Sequence, residues 1–110
     1  MIVYHLALPE TWRLSYAAGR YTTSTRDLDL ADVGFIHCAQ AEQVDGVYDR
    51  FYSDLRGPLV ILAIDTDLLT SPWQLDDVPG EPLPFPHVYG PLDLDAIVTA
   101  KPYFRQWPSP

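Results

Sequence analysis

The sequence predicts a single α+β domain. Three observations carry that expectation. The 110 residues make one domain's worth of chain, and 47% of them are hydrophobic, enough for a core. Two helical segments come early and several strand-like runs follow, without regular βαβ alternation. One cysteine, Cys38, cannot close an internal disulfide, so this is not a disulfide scaffold. No repeat, low-complexity tract or linker divides residues 1–110.

The elements follow in order. Ile2 to Ala7 is short and rich in strand formers. Pro9 to Ala18 reads as a helix, because Pro9 suits a first turn, Glu10 complements the positive helix end and Gly19 can stop the helix. Arg20 to Arg26 is polar and reads as a loop or edge strand. Gly34 to Cys38 is the next strand. Glu42 to Leu55 is the clearest helix, since Val44, Val47, Tyr48, Phe51 and Leu55 form one apolar stripe. Leu59 to Ile64 has no polar residue, which predicts a central strand covered on both faces. Trp73 to Val78, His87 to Tyr89 and Ala96 to Lys101 read as further strands. Eleven prolines are about twice the usual share. Six of them crowd residues 72–91, and 76–86 reads as a long irregular loop, either functional or a rigid connector.

Composition narrows the functions. A net charge of −8 favours solubility and opposes nonspecific binding of nucleic acid. No apolar run approaches the roughly 20 residues of a membrane span, and no secretory leader is recognisable. The expectation is a soluble cytoplasmic domain without a membrane partner; the oligomeric state is left open. No glycine-rich dinucleotide or P-loop motif is present.

The candidate chemistry lies on strands. Each of the three histidines, His5, His37 and His87, falls in a strand-like run beside aromatic or glycine neighbours. Alternation along a strand pairs Val3 with His5, Phe35 with His37, and His87 with Tyr89 on common faces. Three strands of one sheet would then set three imidazoles on one cleft wall, able to donate, accept and position hydroxyls. A satisfied, half-buried ring is the competing reading for each. Arg20 and Arg50 are cations that could hold a phosphate or carboxylate, and a solvated surface role competes. Tyr21 and Tyr89 could stack on a flat ring or donate a hydrogen bond, against plain packing. No metal site is expected, because His37 and Cys38 face opposite ways and no paired ligand spacing occurs. Cys38 reads as a small buried hydrophobe before a nucleophile. The aspartates, Asp76-Asp77 included, read as turn and cap residues.

Several motifs together resemble a known family. They are Val3-Tyr4-His5, Gly34-Phe35-Ile36-His37-Cys38, Arg50-Phe51-Tyr52, Leu62-Ala63-Ile64-Asp65 and Phe85-Pro86-His87-Val88-Tyr89-Gly90-Pro91-Leu92. In this order they resemble the domain of unknown function 952 family, over nearly the whole chain. That family is similar to the ADP-ribosyltransferase fold. The resemblance implies a compact split β-sandwich of mainly antiparallel strands with two helices in the N-terminal half. It also implies NAD as a substrate, and no bound cofactor of the protein's own. His5 would meet the ribose, and His37 or Phe35 the nicotinamide side. His87 or Tyr89 would supply the last, catalytic group. The sequence departs from that pattern in two places. Phe85 to Leu92 contains no acid, and Gln74 stands after the tryptophan where relatives carry glutamate.

Three functions compete on this reading. The first is a nucleotide- or NAD-using transferase with His37 and His87 catalytic. Its ligand would be held by His5, Phe35, Tyr21, Arg20, Arg50 and Tyr89. The second is a noncatalytic module for a small metabolite, using the same cleft. The third is a protein-interaction domain using Trp12, Tyr16, Trp73 and Trp107 as aromatic surface.

Overall fold

The structure, a computed structural model, describes residues 1–105. Two antiparallel sheets organise the chain. The first contains β1 (Ile2–Ala7), β5 (Leu59–Asp65) and β8 (Ile97–Tyr103), in the order β1-β5-β8. The apolar run 59–64 is the central strand, as its composition predicts, and Leu62, Ala63 and Ile64 are buried in succession. Pro102 lies in β8, an edge strand, where a missing backbone donor is tolerated.

The second sheet contains β4 (Ile36–His37), β6 (Trp73–Asp76) and β7 (Phe85–Val88), in the order β4-β7-β6. A small hairpin of β2 (Thr23–Thr25) and β3 (Leu28–Asp29) turns through Asp27, which takes the left-handed conformation at φ 62°.

Three helices accompany the sheets, one more than expected. They are α1 (Pro9–Ala18), α2 (Leu30–Val33) and α3 (Val44–Phe51). The extra one, α2, has four residues, too few to show a 3.6-residue period. It is defined by its ends. Asp29 and Asp32 form a reciprocal capping box, and Gly34 closes the turn at φ 94°. The clearest sequence helix is shorter than its stripe. Residues 41–43 form a 3-10 turn closed by Gln40 and Gln43, and the helix ends at Phe51.

Two other differences concern strand ends, and proline chemistry explains the first. β4 is only Ile36–His37, although the sequence suggests a strand over 34–38. Cys38 donates its N–H to the Pro86 carbonyl (3.0 Å), but Pro86 has no N–H to return, so the ladder stops there. Asp76 is not the start of a loop; it completes β6, and Phe85 and Pro86 already belong to β7. The irregular connector is therefore 77–84.

The main core lies between the two sheets. Val3, Leu62 and Ile64 from the first meet Ile36 and Val88 from the second, with Tyr21, Cys38 and Leu92. A second cluster packs Val44, Tyr48 and Tyr52 on Leu6 and Leu59. Tyr4 and Ala39 exchange backbone hydrogen bonds of 2.7 and 2.8 Å and so tie β1 to the segment after β4. Trp12 and Trp73 are partly buried against the core, Tyr16 is exposed, and Trp107 lies outside the described residues. Among the described residues no helix is long and apolar enough to cross a membrane.

Candidate functional site

Strand register assembles a cluster of rings on the outer face of the second sheet. His37 is directly opposite His87, and His87 is directly opposite Gln74, so one row crosses all three strands. The next row places Asp76 opposite Phe85. Residues two apart share the face, which brings Asp76 diagonally beside His87. Phe35 stacks flat on His87, with ring centres 3.9 Å apart, and contacts Tyr89. Ile36, Cys38 and Val88 point the other way, into the core.

Hydrogen bonds link this face into a chain. Asp76 Oδ2 accepts from His87 Nδ1 at 2.7 Å and from the Tyr89 hydroxyl. Asp76 Oδ1 accepts from the Gln74 amide. Donors at both carboxylate oxygens, Tyr89 foremost, hold the Asp76 carboxyl below the ordinary aspartate range. The same bond raises the Tyr89 phenol. On its far side, His87 Nε2 lies 3.3 Å from His37 Nδ1. Burial, with His87, His5 and Arg50 nearby, lowers His37 to about 4, so this imidazole is neutral at neutral pH.

His5 does not share this wall. It lies on β1 of the first sheet, so the three histidine strands do not belong to one sheet. The separation follows from the chain leaving β1 into α1 and the hairpin before it reaches β4. His5 instead backs the cluster. Its Nδ1 donates to the His37 carbonyl (2.6 Å), and its Nε2 accepts from the Tyr21 hydroxyl (2.8 Å). It is 4% exposed, and burial lowers it to about 4. Tyr21 is completely buried, and that burial raises its phenol.

A groove opens at His37. One cavity of about 350 Å³ lies between α3 and the 77–84 connector, with Arg50, Phe51, Glu81 and Phe85 in its wall. A second, of about 230 Å³, runs toward the hairpin. His37, Arg50, Phe51 and Phe85 line both. Arg50 pairs with Glu81 at 3.0 Å, and Gln40 and Gln43 donate to the Pro84 carbonyl at 2.8 and 3.1 Å. These bonds fasten the connector over the first cavity. Ser24 lines the second, and its Oγ is the one buried side-chain polar atom without a partner among the described residues.

The predicted site residues therefore divide. His37, His87, Phe35, Tyr89 and Arg50 come together around the cluster and groove. His5 and Tyr21 lie behind it. Arg20 lines a different cavity with Thr70, Ser71 and Asp93, which holds no histidine. Cys38 is core, its thiol pushed up to about 12 by burial. No group of three His, Cys, Asp or Glu among the described residues is placed to hold a metal ion.

Sequence reasoning missed three contributors. Asp76 reads as a turn residue, yet the alternation Gln74, Asp76 along β6 carries its place on the histidine face. Phe51 belongs to the apolar stripe of α3 but is 37% exposed in the groove. Glu81 in the proline-rich connector leaves no signal in the sequence, because its role depends on the long-range pairing with Arg50.

The fold and this face define an α+β domain with a carboxylate-linked pair of imidazoles beside a groove. Residues 7–100 match the family described as Protein of unknown function (DUF952), and the chain belongs to that family. It is similar to the protein CC0527 from Caulobacter crescentus. The X-ray structure of that protein is 26% identical with a TM-score of 0.78, covering 93% of this chain and 85% of that one. Its solution NMR structure is 27% identical with a TM-score of 0.70, covering 91% and 82%. No curated protein matches the chain.

Proposed function

We propose that the groove at His37 is a nucleotide site of the ADP-ribosyltransferase-like type, with NAD as the ligand to test first. One observation carries the reading: His37 stands where two adjoining cavities meet, with Phe51, Phe85 and Arg50 in the walls of both. A first cavity of about 350 Å³ is in the size range of small-molecule sites. Two phenyl rings offer contact to a flat ring. Arg50 offsets Glu81, which leaves Glu42 in the wall to favour a ring that carries positive charge, such as nicotinamide in NAD. In this reading His37 acts on the ligand and His87 acts through it, Phe35 and Arg50 place the ligand, and Tyr89, which lines neither cavity, holds Asp76. His5 and Tyr21 support the cluster from behind the sheet.

A noncatalytic module for a small metabolite is the second reading. It is favoured by the Arg50–Glu81 pair, which occupies the cation a pyrophosphate would need.

The deciding experiment is an NMR titration of the whole chain with NAD, ADP-ribose and nicotinamide, followed by product analysis. The expected result is saturable shifts at His37 and Phe51, with the affinity read at Phe51 weakened at least tenfold by His37→Ala and by Arg50→Ala. Recovery of the ligand unchanged would select the second reading. No shift from any of the three at millimolar concentration would remove nucleotides from the site.

A further inference from the structure

We infer that Asp76 is a positioning residue, which acts through His87 to fix His37 in the form with Nδ1 protonated and Nε2 bare toward the groove. Each hydrogen bond along the chain fixes where one proton sits. An ionised carboxylate only accepts, so the proton between Asp76 and His87 sits on His87 Nδ1. With Nδ1 as its single N–H, His87 presents a lone pair at Nε2; a second proton there would reverse the pattern at His37, which imidazole nitrogen NMR reads. The 3.3 Å contact with His37 Nδ1 requires one proton, and it must come from His37. His37 has no second proton to spare, and its Nε2 is left as an acceptor.

That nitrogen is also the accessible one. His37 Nε2 makes no hydrogen bond among the described residues. Ser24 Oγ is the only fully buried side-chain polar atom without a partner among the described residues, so Nε2 is not sealed from solvent. His37 lines both cavities of the groove. The chain thus presents a base to whatever occupies the groove, and selects ligands that bring an O–H or N–H to that point. If the proton transfers, it passes from that group to His37 Nε2. His37 becomes an imidazolium, keeps its Nδ1–H bond to His87, and is stabilised by the Asp76 charge beyond it. Asp76 itself stays ionised. The inference rests on the groove reading only for what is bound, because the proton arrangement exists without ligand.

Imidazole nitrogen NMR on the ligand-free chain at neutral pH reads it directly. The expected signature is a bare-type signal for His37 Nε2 and a protonated-type signal for His37 Nδ1. Asp76→Asn should reverse both, because the amide can donate to His87 Nδ1 and drive the chain the other way. His5 serves as the internal control for folding, since Tyr21 and the His37 carbonyl set its protons. His87→Phe provides a second variant that keeps the ring stacked on Phe35. Without its acceptor, His37 should move toward the Nε2-protonated form that free imidazole prefers. A protonated His37 Nε2 in the unaltered chain overturns the inference. So does an unchanged His37 in either variant when His5 keeps its own pattern. Neither result depends on whether NAD binds.

Discussion

At the scale of single residues, the histidines differ in what they are held by. His5 has both nitrogens engaged and is almost fully buried, so its neutral form is part of the packed core. That has a consequence for stability against pH. Its value is about 4 in the folded chain and 6.5 in an open one, so below 6.5 the unfolded state binds the extra proton. Stability present above pH 6.5 is therefore lost as pH falls toward 4, by roughly 3 kcal/mol for this one group. His37 adds a loss of the same sign in the same window. Asp49, Asp54 and Asp76, all held below 3.8, contribute only at lower pH. Urea unfolding should thus show a steep decline between pH 6.5 and 4. The decline should be shallower in His5→Gln, whose neutral stability is lower to begin with. An equal slope in the two proteins would mean that His5 stays accessible to protons.

At the scale of elements, the connector 77–84 is the part that sequence reads least well. Its prolines announce irregular backbone, but not where that backbone is fastened. The fastening comes from the turn before α3: Gln40 donates to the Pro84 carbonyl, and Gln43 to the carbonyls of Leu83 and Pro84. Removing one such bond by Gln40→Ala should cost about 1 kcal/mol, and mostly locally. The expected outcome is faster amide exchange at Glu81 and Leu83, with the global midpoint little changed. Unaltered exchange at both would show that proline stiffness and Phe85 packing hold the connector by themselves. The same contrast explains how much was legible. Apolar or periodic runs, β1, β5 and the middle of α3, declare themselves because local pattern and burial agree. α1 buries no residue and is read from Pro9, Glu10 and Gly19 at its ends. Shorter elements, set by a side-chain cap or by a partner's chemistry, leave no such signal. α2 depends on one capping box, and β4 ends where Pro86 cannot donate. The site divides in the same way. Alternation places His37 with Phe35, and His87 with Tyr89, on shared faces. The pairing of β4, β6 and β7 then brings Asp76 to His87, and no spacing within a single segment encodes that.

At the scale of the whole molecule, the site lies over a seam between two sheets that share one core. Val3, Leu62 and Ile64 of the first sheet pack with Ile36 and Val88 of the second. The Tyr4–Ala39 bonds and the His5 bond to the His37 carbonyl cross the same seam. The second sheet has no apolar cluster of its own, since Ile36 and Val88 pack into the one shared with the first, so it should unfold with the first. Leu62 tests this from a distance. It is fully buried in the central strand of the first sheet and is absent from the groove. Leu62→Ala should lower stability by about 2–5 kcal/mol through lost contact and a residual cavity. The imidazole signals of His37 and His87, in the second sheet, should then vanish at the same urea concentration as the backbone circular dichroism. Persistence of those signals past the backbone transition would mean that the second sheet and its connector hold the site without the first. His5 would then be a neighbour of the cluster and not part of what keeps His37 in place.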